Sequence, residues 1–97
     1  MALYITEKRD NVGRSEAREN LRRHGMDLAH AEYFEFDTAL VEEDRDVRHE
    51  ARFRATGWLR GRLCFLVFTL QDGDEVHAIS LRPATPKERR HYYVEET

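Results

Sequence analysis

The feature that most constrains this chain is a continuous apolar run, Leu63–Leu70, between two turn signals. A run of this length without polar alternation is typical of a central strand covered on both faces. Arg60-Gly61 before the run indicates a turn, and Asp72-Gly73 after it is a stronger hairpin signal. The run therefore predicts the middle strand of an antiparallel meander.

The segments on either side of the run have the patterns expected of neighbouring strands. Between residues 52 and 57, arginine and threonine alternate with phenylalanine, alanine and glycine, which is the period of a strand. Glu75–Leu81 follows the second turn as the returning strand. Leu40-Val41 also has the character of a strand start, and we expect an acidic loop over Glu42–Asp46 after it.

The part of the chain before the meander predicts one short strand and one helix. Leu3–Thr6 is typical of a short strand. Ser15 can cap a helix over Glu16–His24, because its hydroxyl can accept from an N–H group of the first turn. Gly25 ends that helix at the position where a residue with positive φ is usual.

Two further capping signals predict two more helices. The carboxylate of Asp27 can cap a short helix over Leu28–Phe34. Thr85 and Glu88 have capping-box spacing around a proline, which predicts a final helix over Pro86–Val94. The predicted fold is α+β: a short N-terminal strand, two helices, an antiparallel meander sheet and a C-terminal helix, in one domain over residues 1–97.

The composition indicates a folded domain with a charged surface. Charged residues make up 36% of the chain and hydrophobic residues 40%. The net charge of −3 is unlike that of a basic nucleic-acid-binding domain, although a fold could gather the arginines on one face. Cys64 lies in the apolar run, so we expect it to be buried. No segment approaches the roughly 20 apolar residues of a membrane span, and we expect a cytoplasmic protein.

Several kinds of site have no signature in the sequence. It contains no glycine-rich phosphate loop, HExxH motif, paired CxxC motif or nucleophile elbow. The five histidines have no recognisable metal-ligand spacing. No cofactor or metal is therefore expected.

A set of short segments occurs in an order that resembles the BrnT family of toxins. The segments are Asn20–Gly25, Arg48–Arg52, Ile79–Arg82 and Glu88–Tyr92. They are similar to the family's N-x-x-(K/R)-H-G, E-x-R, I-S-x-R and E-R-x-x-Y elements, and the resemblance extends over most of the chain.

This resemblance implies a RelE-like fold and a ribonuclease that cleaves RNA without a metal, inhibiting translation and growth. It also implies a hetero-oligomer with a BrnA-like antitoxin of the ribbon-helix-helix type. The antitoxin would supply any contact with operator DNA, which suits a toxin chain that is not basic overall.

Metal-free RNA cleavage requires a base near the 2′-hydroxyl, cations around the phosphate and a proton donor for the leaving oxygen. With the resemblance, the candidate catalytic residues are His24, Glu50, Arg52, Arg82 and Tyr92. His24 is the acid–base candidate at a helix C-terminus, where the helix dipole favours its protonated form. Glu50 and Arg52 would form a base beside a phosphate-binding arginine, and Tyr92 could donate a proton or stack on a base. Each of them could instead have a purely structural role.

Four further residues are expected to contact RNA. They are Arg23, Arg54, Ser80 and Arg89. Ser80 shares a strand face with Arg82, the strongest candidate for a phosphate contact, because residues two apart on a strand face the same way. Arg89 shares a helix face with Tyr92.

Three departures from the family pattern leave a second function open. Gly13 and Glu16 stand where the family carries aspartate and lysine, and His77 stands where an arginine is common. The chain could therefore be a non-enzymatic binding module that keeps the fold and the partner surface. An unrelated small α+β adaptor is a third alternative.

Overall fold

The computed structural model describes residues 14–44, 51–71 and 73–96. The elements in chain order are α1 (Arg14–His24), a first 3-10 helix (Leu28–Tyr33), a second 3-10 helix (Phe36–Thr38), β1 (Leu40–Asp44), β2 (Arg52–Leu59), β3 (Arg62–Gln71), β4 (Glu75–Pro83) and α2 (Pro86–Glu96). The predicted α+β class is confirmed. The predicted strand Leu3–Thr6 lies outside the described residues.

The four strands form one antiparallel sheet in the order β1-β2-β3-β4. The predicted meander is confirmed as β2, β3 and β4. The prediction of a loop at Glu42–Asp46 is wrong for its first three residues, because Glu42, Glu43 and Asp44 pair with β2 as part of β1. Backbone pairing along this edge outweighs the low strand propensity of acidic residues, and Glu42 and Glu43 keep their side chains exposed.

The two faces of the sheet pack against different helices. The inner face packs on α1 and the 3-10 helices, where Leu66 and Phe68 of β3 meet Leu28 and Phe34. The outer face carries α2 at one end, where Leu63 packs with other apolar residues. On the outer face of β3, Leu63 and Thr69 are buried whereas Phe65 and Val67 are half-buried, so the cover on both faces that the run Leu63–Leu70 predicted is only partial.

A bulge in β4 moves its side chains relative to β3. Phe68 pairs with Ala78 whereas Val67 pairs with Ser80, so that Ile79 is an extra residue. The bulge therefore turns Ser80 away from the inner face, while Leu81 returns to the core and is fully buried.

The β2–β3 turn contains an arginine in a left-handed conformation. Arg60 has φ 51° and Gly61 has φ 80°, and both signs match the two-residue turns that suit the twist of a hairpin. The conformation is free for glycine but costs about 1 kcal/mol for an arginine, because its Cβ approaches the following carbonyl. The turn thus keeps a residue that its backbone does not favour.

The helix boundaries follow the capping residues in two of three places. Asp27 accepts from the N–H of Ala29 at 3.0 Å, and Thr85 and Glu88 bond reciprocally to each other's backbone N–H groups at 3.2 and 2.9 Å, as predicted. The segment after Asp27 is a 3-10 helix that ends at Tyr33, because Phe34 leaves it to pair with Leu59. The first helix begins at Arg14, so the prediction that Ser15 caps it is wrong.

Asn20 joins α1 to the edge of the sheet. Its side-chain oxygen accepts from the backbone N–H of Leu81 at 2.8 Å, and its amide donates to the Leu81 carbonyl at 2.9 Å. The same amide donates to the carbonyl of Met26 at 2.9 Å. Asn20 is 4% exposed, so its side chain is buried. Its amide group bonds both backbone groups of Leu81 at the sheet edge, as a further strand would.

None of the helices in the described part of the chain is long and apolar enough to span a membrane.

We expect Asn20→Ala to lower the free energy of unfolding by about 2–4 kcal/mol, because the substitution leaves the buried N–H and carbonyl of Leu81 without partners. Urea denaturation followed by circular dichroism measures the change. The control is Leu21→Ala on the same helix, whose side chain is 56% exposed and whose loss should cost no more than about 0.5 kcal/mol. Equal stability of the two variants would contradict this role of Asn20.

Candidate functional site

A cavity of about 310 Å³ lies between α1 and the bulged part of β4. Residues four apart on a helix share a face, which brings Glu16, Asn20 and His24 of α1 to its wall. Ser80 lines the cavity from β4, where the bulge has turned it out of the core. The complete lining is Ser15, Glu16, Glu19, Asn20, Arg23, His24, Ile79 and Ser80.

His24 is the last residue of α1 and is half-buried in the cavity wall. Burial, followed by the positive charges of Arg23 and Arg82, lowers the pKa of His24 below its ordinary value. The position of His24 at a helix C-terminus predicts the opposite direction, whereas desolvation and the two neighbouring cations disfavour the protonated imidazole. His24 is therefore neutral near pH 7 and can accept a proton.

The structure thus brings together three of the residues predicted for RNA contact or catalysis. His24, Arg23 and Ser80 line the same cavity, and Arg82 is close enough to lower the pKa of His24. Arg23 is exposed at the cavity wall. This arrangement combines a neutral imidazole, a hydroxyl and two guanidinium groups.

Arg82 is held in one orientation by contacts within the protein. Its Nη1 and Nη2 donate to the two carboxylate oxygens of Glu88 at 2.7 and 2.8 Å, and its Cζ lies 4.4 Å from the centroid of the Phe65 ring. The hydrogen bond with Glu88 raises the pKa of Arg82. A phosphate bound by both of these nitrogens would have to replace Glu88.

Glu88 takes part both in the ion pair with Arg82 and in the cap of α2 with Thr85. Burial would raise the pKa of this carboxyl, but the hydrogen bonds from Arg82 and Thr85 outweigh burial and lower it. The negative charge of Glu88 is thereby committed to Arg82 and to the start of α2.

The two arginines of β2 lie on the outer face, away from the core. Arg54 is exposed and pairs with Val67 of β3, and Val67 pairs in turn with Ser80 of β4. Since neighbouring strands are about 4.8 Å apart, Arg54 is about 10 Å from Ser80 along one row. Arg52 lies two residues before Arg54 on the same face and pairs with Thr69 of β3.

Tyr92 is not part of the cavity wall. It is 5% exposed, its hydroxyl donates to the Thr38 carbonyl at 2.9 Å, and its ring meets Trp58 edge-on at 6.3 Å between centroids. These contacts pack α2 onto the outer face of the sheet. Arg89 lies on α2 and is exposed. Glu50, the remaining candidate, lies outside the described residues.

The site also contains features that the sequence analysis did not assign. Asn20 was noted only as part of a motif, although its spacing from Ala17 and His24 on one helix face could have indicated a buried polar contact. Glu16 lies beside His77, with 3.4 Å between Oε1 and Nε2, and the contact is an ion pair when the imidazole is protonated. No signal in the sequence predicted that these two departures from the family pattern would meet.

The described residues contain no group of three or more histidine, cysteine, aspartate or glutamate side chains that could hold a metal ion.

The chain is similar to one family of known proteins in sequence and in structure. The family described as the ribonuclease toxin BrnT of type II toxin–antitoxin systems matches residues 14–88. The structure is similar to the crystal structure of the Brucella abortus ribonuclease toxin BrnT, with a TM-score of 0.63 and 22% sequence identity. This similarity covers 87% of this chain and 99% of that chain, and it shows a shared fold. No curated protein matches the chain.

We expect the ring protons of His24, followed by NMR, to titrate below the ordinary pKa of 6.5. Arg23→Gln should raise this pKa, because it removes a nearby like charge. Arg18→Gln, which removes an exposed arginine earlier on the same helix, is the matched control and should change it less.

The lowered pKa of His24 also makes the stability of the folded chain depend on pH. Because the folded chain disfavours protonated His24, the free energy of unfolding decreases as pH falls through 6.5 toward the folded-state pKa. An unchanged His24 titration in Arg23→Gln would show that Arg23 does not act on the imidazole.

Proposed function

Because this chain belongs to the BrnT family of ribonuclease toxins from type II toxin–antitoxin systems, we propose that it cleaves RNA without a metal and thereby inhibits translation and growth. The observation that supports this most directly is the cavity in which neutral His24 lies with Arg23 and Ser80, close to Arg82. These groups match the requirements of metal-free cleavage, namely a base, cations and hydrogen-bond donors.

In the proposed reaction, His24 accepts the proton of a ribose 2′-hydroxyl. The 2′-oxygen then attacks the adjacent phosphorus, and the bond from phosphorus to the 5′-oxygen breaks. The products are a 2′,3′-cyclic phosphate and a 5′-hydroxyl, whose proton comes from the imidazolium or from water. Arg23 and the hydroxyl of Ser80 stabilise the charge that develops on the phosphate oxygens.

Arg82 contributes chiefly through its fixed charge in this proposal. It helps to keep the imidazole neutral and adds positive potential at the cavity, while Glu88 holds its orientation. Arg54 is proposed to bind a more distant phosphate along the outer face, and Arg52 and Arg89 remain candidates for backbone contacts.

Two of the catalytic candidates from the sequence, Tyr92 and Glu50, have no assigned step in this mechanism. Tyr92 is left out, because its hydroxyl already donates to the Thr38 carbonyl inside the protein. Glu50 stays a candidate base on the strength of the family resemblance alone.

The family implies an antitoxin partner as well as an RNA substrate. We propose that the antitoxin is of the ribbon-helix-helix type and that it makes the operator-DNA contact for the complex. The net charge of −3 supports this division, since the toxin chain lacks the excess of positive charge that duplex binding favours.

One observation favours the alternative of a non-enzymatic, protein-binding member of the family. Glu16 and His77 stand where the family carries basic residues, their Oε1 and Nε2 atoms are 3.4 Å apart, and Glu16 lines the cavity. A carboxylate at this position opposes phosphate binding. Glu19 opposes it less, because Arg22 pairs with it at 2.6 Å.

We expect the purified chain to cleave single-stranded RNA in the presence of EDTA and to leave 5′-hydroxyl ends. His24→Ala should lower the cleavage rate by about 100-fold or more, which is the usual value of a positioned base. The control is His91→Ala, which removes an exposed histidine of α2 outside the cavity wall. Cleavage is measured by gel electrophoresis, with folding checked by circular dichroism.

Growth after induced expression gives the cellular counterpart of this test. Arrest with RNA breakdown, relieved by His24→Ala but not by His91→Ala, is the expected result. Folded protein that leaves RNA intact in both assays would favour the non-enzymatic alternative, and cleavage that EDTA abolishes would overturn metal independence.

A further inference from the structure

Tyr33 and Arg60 form an exposed stacked pair away from the residues that line the cavity. Tyr33 ends the first 3-10 helix and Arg60 begins the β2–β3 turn. The pairing of Phe34 with Leu59 brings them together, because each partner is the chain neighbour of one member of the pair. The Cζ of Arg60 lies 3.9 Å from the centroid of the Tyr33 ring. We refer to these two residues as the Arg60–Tyr33 platform.

The backbone of Arg60 indicates that its side chain has a role. Arg60 is the one non-glycine residue with positive φ among the described residues, at 51°. A glycine would adopt this conformation freely, and asparagine is the usual alternative in such turns. Unfavourable backbone conformations of this kind concentrate at binding sites, where a particular side chain is needed.

The platform presents a planar cation to solvent. Arg60 is exposed, and its guanidinium lies over one face of the Tyr33 ring, which is itself 43% exposed. The His30 ring is 6.2 Å from the Tyr33 ring, and the exposed Arg62 follows Gly61 in the turn. A guanidinium stacked in this way can receive a nucleobase on its outer face while its N–H groups reach a phosphate.

We infer that the Arg60–Tyr33 platform is a stacking subsite for a nucleobase of single-stranded RNA. This inference rests on the proposed function for its substrate, and it adds a binding residue pair outside the cavity. Stacking of this kind tolerates any base, because every base has a planar face, so the subsite would anchor the RNA without selecting its sequence.

The surroundings favour RNA over a protein partner as the occupant. Apart from Tyr33 itself, the exposed large apolar side chains of the described residues, which a protein interface would bury, lie on other elements: Leu21 on α1, Val41 on β1, and Tyr93 and Val94 on α2. The platform itself offers cationic and aromatic groups, as single-stranded RNA sites do.

The test is the affinity for a fluorescent single-stranded 2′-O-methyl RNA, measured by anisotropy with the full chain. This RNA is not cleaved, because its methylated 2′-oxygen cannot attack the phosphorus. Arg60→Gly suits the turn and so preserves folding while it removes the guanidinium. Arg60→Lys keeps the charge but not the planar surface. We expect both variants and Tyr33→Leu to bind about five- to fifty-fold more weakly, from the usual strength of base stacking.

Two controls match these changes. Arg18→Gln removes one exposed positive charge from α1, and Tyr93→Leu removes an exposed tyrosine from α2. Both should bind RNA nearly as the original chain does. Arg60→Lys with unchanged affinity would overturn stacking and leave only a charge effect.

The outcomes separate this inference from the proposed function. Cleavage by the chain with unchanged affinity in all three platform variants overturns the platform alone. Binding that depends on the platform in a chain that cleaves no RNA supports the platform and overturns the ribonuclease. Platform variants that bind RNA normally but lose affinity for the antitoxin would assign this surface to the protein partner and overturn the inference.

Discussion

The contact of Asn20 with Leu81 is the interaction on which the arrangement of this molecule depends. An edge strand leaves backbone groups without partners, and here one buried amide fills both positions at Leu81. The same amide bonds the Met26 carbonyl and so fixes the chain as it leaves α1. The helix is thereby held in one position along β4, and His24, one turn after Asn20, is placed beside Ser80. A structural asparagine thus determines the geometry of the candidate site.

The elements that local sequence determines were predicted well. The apolar run gave β3 and its two turns, and the Thr85–Glu88 capping box gave the start of α2, because these signals depend on neighbouring residues only. The strand at Glu42–Asp44 was missed, since its stability comes from pairing with β2 rather than from its own composition. The bulge at Ile79 leaves no local signal in the sequence.

The candidate site was predictable in its residue types but not in its electrostatics. The motif order pointed to His24 and Arg82, yet the pKa of His24 depends on burial and on two arginines, one of which comes from a distant strand. Likewise Tyr92 carries the motif position of a reactive residue, whereas its hydroxyl bonds to the carbonyl of Thr38, 54 residues away. Contacts over such separations are set by the tertiary fold, which a single sequence does not display.

The bidentate pair between Arg82 and Glu88 makes two properties of the molecule interdependent. Glu88 caps α2 through Thr85 and also saturates the fork of Arg82, so an anion bound by that fork competes directly with the carboxylate that makes the cap. By thermodynamic reciprocity, an anion on Arg82 weakens the hold of Glu88 by the same factor by which Glu88 weakens the anion. The carboxylate at the start of the C-terminal helix therefore limits the affinity of Arg82 for an anion.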